Sequence, residues 1–157
     1  MNKIISKEQF SEKVFKLEIE APLIAKSRRA GHFVIVRVDE KGERMPLTIA
    51  GSDIHKGTIT LVVQTVGLSS TKLCNLNEGD YILDVVGPLG QATHIQNYGT
   101  VVCAGGGVGV APMLPIIQAL KAAGNRVISV LAGRSKDLII LENEVRASSD
   151  DVIIMTD

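Results

Sequence analysis

A chain of 157 residues is long enough for one sizeable core or two small ones, and 45% apolar with 22% charged residues is ordinary for a folded protein. Lys plus Arg number 17, as do Asp plus Glu, which removes any general electrostatic case for nucleic acid or an anionic membrane, and 3% aromatics without Trp argue against stacking on single strands. No run approaches the roughly eighteen apolar residues of a spanning helix, and "MNKIISKEQFSEK" lacks the apolar stretch of a signal peptide, so a cytoplasmic protein with no membrane or nucleic-acid partner is expected.

From the start to about Gly90 the pattern has period two. In "VFKLEIE", Phe15, Leu17 and Ile19 fall on one face while Lys16, Glu18 and Glu20 fall on the other. "HFVIVRV" and "TITLVVQ" are further β-branched runs, bounded by the turn signals "AGH", "DEKGE" and "HKG", and "YILDVVG" is another strand. About six short strands with little helix between them read as an antiparallel barrel or sandwich. A short helix around 69–76, capped by Ser69 or Ser70, interrupts the series.

After "GPLGQATHIQNYG" the character changes. "TVVCAG" is a fully apolar strand, "PMLPIIQALKAAG" a helix with Gly124 as its stop, and "NRVISVLAG" a second apolar strand. "SKDLIILENEVRAS" is a second helix and "DVIIMTD" a third strand. This alternation predicts a parallel sheet covered on both faces, with the domain boundary in the segment 87–99. Pro112 and Pro115 are placed in the opening turn of the first helix, where backbone N–H groups have no intrahelical acceptor.

Gly105, Gly106, Gly107 and Gly109 sit at the carboxyl end of the first parallel strand, just ahead of a helix. Open α/β sheets bind ligands there, and a helix start offers free N–H groups to an anion. The spacing is not GxGxxG, because Val110 and Pro112 stand where the third glycine would be, and no Lys follows to make a GxxxxGK[ST] loop. The glycines point to a nucleotide or other phosphate ligand, with a tight structural turn as the alternative. After the second strand, Arg134 occupies the place of a ribose-reading Asp or Glu; it is either a receiver for a 2′-phosphate or an ordinary surface Arg. Cys74 and Cys103 have no CxxC partner and are too few for an iron–sulfur or structural zinc site, so they read as core. His32, His55 and His94 are single and scattered, giving neither a metal trio nor a catalytic dyad.

A β half followed by an α/β half whose first turn reads GGGxGxAP resembles the ferredoxin–NADP reductase superfamily of flavoproteins, and the resemblance runs through the whole chain. "RRAGHFVIV" is similar to the family's pGqF strand, "ERMPLTIAG" to its flavin strand, "VGLSSTKL" to the loop and short helix that take the FAD pyrophosphate, and "EGDYILDVVGPLG" to its closing strand and GPxG turn. By position, Thr48 takes the place of the Ser/Thr that hydrogen-bonds the flavin near its N5 atom. Leu47, next to Pro46, stands where simple reductases have a Tyr packed on the isoalloxazine ring. Arg44 is the residue placed to neutralise the pyrophosphate, although strict alignment puts Met45 at the family's Arg position. Gly67, Ser69 and Ser70 match the pyrophosphate loop, Gly87 the GPxG turn, and Gly105–Pro112 the loop for a nicotinamide dinucleotide abutting the flavin.

The resemblance therefore implies an antiparallel six-stranded FAD-binding barrel over 1–95 and a doubly wound parallel NAD(P)-binding α/β domain over 96–157. Within the superfamily the pattern is most similar to the small electron-transfer subunits of NADH-dependent ferredoxin–NADP oxidoreductases and of type B dihydroorotate dehydrogenases, and "RMPLTIA" favours the former. The implied function is electron transfer from NAD(P)H through FAD to a larger flavin and iron–sulfur subunit and to ferredoxin. Such chemistry needs positioning rather than a general acid or base. The alternatives are the dihydroorotate dehydrogenase subunit and a non-catalytic assembly module that keeps the fold. The family also implies more sheet after "DVIIMTD" and a cysteine-rich segment carrying a 2Fe–2S cluster. The chain is thus expected to be C-terminally incomplete, with "TVVCAG" an exposed edge open to self-association.

Overall fold

The computed structural model describes residues 1–157. The chain opens with a hairpin of β1 (Asn2–Ser11) and β2 (Val14–Glu20), and α1 (Pro22–Ser27) leads into β3 (Phe33–Arg37). β4 (Arg44–Thr48), β5 (Gly51–Asp53), β6 (Thr58–Gln64), α2 (Leu68–Cys74), β7 (Tyr81–Ile82) and β8 (Asp84–Leu89) follow. The strands form one sheet of order β5-β6-β2-β1-β7 and a second of order β4-β3-β8. The period-two pattern packs them together. Leu17 and Ile19 of β2, Val34 and Val36 of β3, and Ile59, Leu61 and Val63 of β6 all enter one core of 17 buried residues. This is the barrel-like β half expected, with eight strands rather than six and no closed ring of ladders.

The unanticipated strands have a broken period. β1 shifts register between Ile4 and Ser6 and again between Gln9 and Ser11; each shift disturbs the alternation, and Ile4 is its one buried residue. The run "YILDVVG" is two strands. At Leu83, whose N–H donates to the Val38 carbonyl at 3.0 Å, the chain leaves the five-stranded sheet and joins the three-stranded one. α2 is capped by Gly67 rather than by Ser69 or Ser70, and ends at Cys74.

The second half runs β9 (Thr100–Gly106), a 3-10 turn over Gly107–Gly109, α3 (Val110–Ala122), β10 (Arg126–Gly133), α4 (Glu142–Ala147) and β11 (Asp151–Thr156). The three strands are parallel in the order β11-β10-β9, so β9 lies at an edge. α3 and α4 touch each other and share a second core with Val127 and Leu131 of β10 and Ala50 from the β half. The opposite face of the sheet is bare, with Val102 65% and Ile153 50% exposed. The sheet is thus covered on one face, where the uniformly apolar strands predicted two. No helix is long and apolar enough to cross a membrane.

Three local expectations are corrected. The coil tightens at Gly107, so α3 is already running at Val110 and Pro115 is its buried sixth residue, outside the opening turn. The helix expected over "SKDLIILENEVRAS" shrinks to α4: Lys136–Leu138 is a 3-10 turn, Ile139 is extended and Leu141 has φ 57°. Ile139 is drawn onto Gly133, where an added Cβ would lie 2.9 Å from its Cδ1, and Ile140 is buried in the second core; these contacts outweigh helical propensity. Gly124 does stop α3, with φ 93°. Its N–H donates to Lys121 and that of Asn125 to Leu120, at 3.0 and 3.2 Å, the bond pair of a Schellman end.

Candidate functional site

Two clefts open side by side between the halves. The first, about 610 Å³, is walled by the turn between β3 and β4, by Met45–Leu47 of β4, the end of β6, and Val66–Ser70 with Lys72 on and before α2. The second, about 900 Å³, lies among the β1–β2 turn, Gly106–Val108, the end of β10 with Arg134, and Met155–Asp157. Gln64 and Val108 belong to both walls. The last residue of β6 and one side chain of the glycine turn therefore separate the two spaces.

The strand assigned from sequence divides by face. Met45 and Leu47 line the first cleft while packing on the first core, and Pro46, exposed, completes that wall. Arg44 is exposed, paired across the ladder with Arg37 and outside the wall. Thr48 closes β4 opposite Phe33, half-buried, and is likewise not among the lining residues.

The loop before α2 is shaped by Ser70, which is only 8% exposed. Its hydroxyl accepts the N–H groups of Val66 and Gly67 at 2.9 and 3.1 Å and donates to the Gly67 carbonyl at 3.2 Å. Ser70 is thus occupied in holding the loop, and Ser69, half-buried in the cleft wall, is the serine whose hydroxyl is free of chain partners. Gly67 itself has extended backbone that any residue adopts (φ −176°), and a Cβ there would meet no protein atom within 4 Å. The same is true of Gly109, at φ −63°. Nothing in the fold demands glycine at either place; Gly67 lines the first cleft, while Gly109 lines neither.

Gly107, Gly105 and Gly87 have internal reasons, whereas a Cβ at Gly106 would meet nothing closer than 3.5 Å. Gly107 has φ 55° and lines the second cleft. Gly105 faces Met113, whose Cε would lie 3.1 Å from an added Cβ. Gly87 lines neither cleft and lets β8 close on β3, since a Cβ there would sit 2.7 Å from Val34 Cγ1. Pro112 is half-buried in the first turn of α3. Arg134 is exposed at the second cleft and pairs with no carboxylate of the chain.

Sequence reading did not single out Lys41, Lys72, Gln64 or Val108 as cleft residues. Lys72 is ion-paired with Asp39, and that hydrogen bond is the main cause holding the Asp39 carboxyl below its ordinary range. Asn125 was also missed. It is 1% exposed and ties Gln96, Tyr98 and Gly99 to the end of α3. Cys74 lies in the first core, where burial pushes its thiol up to about 11. The His32 ring accepts the Arg29 N–H at 2.9 Å, and no three His, Cys, Asp or Glu side chains are gathered to hold a metal ion.

Known proteins share this fold. The family profile of the oxidoreductase FAD-binding domain matches residues 2–94. Over its whole length the chain is 46% identical to a Thermotoga maritima homolog of the dihydroorotate dehydrogenase B (NAD(+)) electron transfer subunit, covering 55% of that protein. It is 30% identical over 99% of its length to the electron transfer subunit of Streptococcus pneumoniae, covering 61% of it. Its backbone matches a chain of the NADH-dependent reduced ferredoxin-NADP oxidoreductase, studied for flavin-based electron bifurcation, at a TM-score of 0.97 and 44% identity, covering all of this chain and 57% of that one. Phthalate dioxygenase reductase, at 21% identity and a TM-score of 0.80 over all of this chain and half of its own, shares the fold. The chain spans little more than half the length of these relatives. It belongs to the oxidoreductase FAD-binding domain family, within the ferredoxin–NADP reductase superfamily.

Proposed function

We propose that the chain is the FAD- and NAD(P)H-binding part of an electron-transfer subunit of the ferredoxin–NAD(P) reductase type, FAD occupying the first cleft and the nicotinamide dinucleotide the second. The residues present fit both groups. Gly67 in the first cleft and Gly106 in the second leave room for a close approach that the fold itself does not require. Met45, Pro46 and Leu47 offer an apolar wall on which a flat ring can lie without stacking. When bound, FAD supplies the redox chemistry, accepting a hydride and releasing electrons singly.

The protein's own contribution is positioning. Thr48, which follows the wall residue Leu47 in β4 and itself lies outside the lining, is assigned to the flavin ring by the family resemblance alone. Ser69 and the loop shaped by Ser70 receive one pyrophosphate, and the N–H groups of Gly107–Gly109 at the start of α3 receive the other. Arg134 at the second cleft meets the ribose end of the nicotinamide dinucleotide. The observation that carries the reading is the shared wall: Gln64 and Val108 alone stand in both clefts, so ligands in the two are neighbours. The partners in this reading are a larger flavin and iron–sulfur subunit, ferredoxin, and a 2Fe–2S cluster carried outside residues 1–157. A cytoplasmic setting and self-association through the open edge of β9 belong to the same proposal.

The full-length protein, desalted after incubation with FAD, should keep the absorption bands of bound flavin and lose them on anaerobic addition of NADH or NADPH. A full-length protein that retains no flavin refutes the reading. The relatives described as dihydroorotate dehydrogenase electron transfer subunits favour a second reading, a subunit of that enzyme. The co-purifying large subunit separates the two: dihydroorotate-dependent bleaching of the complex selects the second, ferredoxin-dependent turnover the first.

A further inference from the structure

The first cleft holds charges that the residues assigned from sequence do not explain. Its cationic side chains are Lys41, in the turn between β3 and β4, and Lys72 of α2. Arg44 is outside the wall. Of the two ammonium groups, Asp39 fixes that of Lys72 alone. Its carboxylate pairs with the Lys72 ammonium and also accepts the Lys41 backbone N–H at 3.1 Å. Asp39 lies outside the wall, so it acts as a tether for Lys72 instead of facing the cleft. The ammonium of Lys41 has no ion-pair partner in the chain. One carboxylate does stand in the wall, that of Glu43.

Lys41 belongs to the turn that enters β4 and Lys72 to α2, while Met45, Pro46 and Leu47 give the same wall its apolar stretch. A flavin dinucleotide has the matching polarity, with a neutral ring at one end and a doubly charged pyrophosphate further along. We propose that Lys41 and Lys72 hold the FAD pyrophosphate, with Asp39 as the positioning residue for Lys72 and Glu43 opposing them, and that Arg44 has no part in it. This rests on the assignment of FAD to the first cleft.

The test measures FAD affinity by flavin fluorescence in the full-length protein stripped of cofactor, with riboflavin, which has no phosphate, as the second probe. Lys41→Gln and Lys72→Gln should each weaken FAD binding about five-fold, and the pair about twenty-fold, the range for partly exposed charge pairs acting together. Glu43→Gln should tighten it about two-fold, and Arg44→Gln should change it by less than two-fold. Riboflavin affinity should be the same in all of them. Raising the salt from about 0.05 to about 0.5 M should narrow the gap between wild type and the double variant. The proposal is overturned if Arg44→Gln weakens FAD binding and the lysine variants do not, or if riboflavin and FAD suffer alike, which would mark a folding defect. Wild type that binds FAD while both lysine variants match it overturns this inference and leaves the cleft assignment standing; wild type that binds none overturns both.

Discussion

Replacing Asn125 by Ala removes the joint between the segment leading into β9 and the end of α3. Its Oδ1 accepts the N–H groups of Tyr98 and Gly99 at 2.7 and 3.1 Å, and its Nδ2 donates to the carbonyls of Gln96 and Leu120, each at 2.9 Å. A protein–protein hydrogen bond contributes about 1 kcal/mol net, and a partner left unpaired in the interior costs about 1–3 kcal/mol. Leu120 keeps a second bond from the Asn125 N–H, and Tyr98 and Gly99 are exposed enough to recover water, so none is orphaned outright. The expected loss is therefore about 2–4 kcal/mol, or about 4–16 °C in Tm for a chain of this size. Urea and thermal unfolding measure the global effect, and amide exchange at Tyr98 and Gly99, which should accelerate, measures the local one. A loss under about 1 kcal/mol with unchanged exchange at those two amides would refute the bookkeeping.

Three further outcomes follow. Gly67→Ala should leave the ligand-free stability within about 1 kcal/mol, yet weaken FAD binding by ten-fold or more; unchanged affinity would mean the space beside it serves no ligand. Gly87→Ala should destabilise by about 1–3 kcal/mol in urea unfolding, because its Cβ would lie 2.7 Å from Val34 Cγ1 and 3.2 Å from the Phe33 carbonyl. Cys74 gives a pH signature: its thiol is raised by burial from 9.0 to about 11, so the folded state keeps the proton that the unfolded chain gives up first. The stability tied to it is intact below pH 9.0, is lost as pH rises to about 11, and amounts to about 2–3 kcal/mol. Cys74→Ala should flatten that alkaline leg relative to wild type, and identical pH profiles would contradict the burial argument.

How much of this was legible in the sequence depended on whether a residue's reason was local. Leu17 and Ile19 alternate with charges along β2, so burial could be read from spacing alone. The glycine turn ahead of α3 and the serines of α2 were visible as punctuation. β1 was not, because its two register shifts break the alternation that would have announced it. The helix expected at 135–148 failed because Ile139 answers to Gly133 and Ile140 to the second core, contacts that local propensity cannot register. Lys41 and Lys72 carry no local signal of a shared cleft, because they are 31 positions apart and come to the same wall only in the fold. Asn125 reads as the first residue of the strand "NRVISVLAG", while the backbone groups it holds at Gln96–Gly99 lie 26–29 residues upstream.

Val108 stands in the walls of both clefts, and this has a thermodynamic consequence independent of any chemistry. A ligand that shifts this side chain on entering one cleft alters the free energy of binding in the other. Linkage makes the effect reciprocal, the second ligand changing the first one's affinity by the same factor. A larger residue at 108 would make the two occupancies antagonistic through crowding, and a smaller one would loosen their communication.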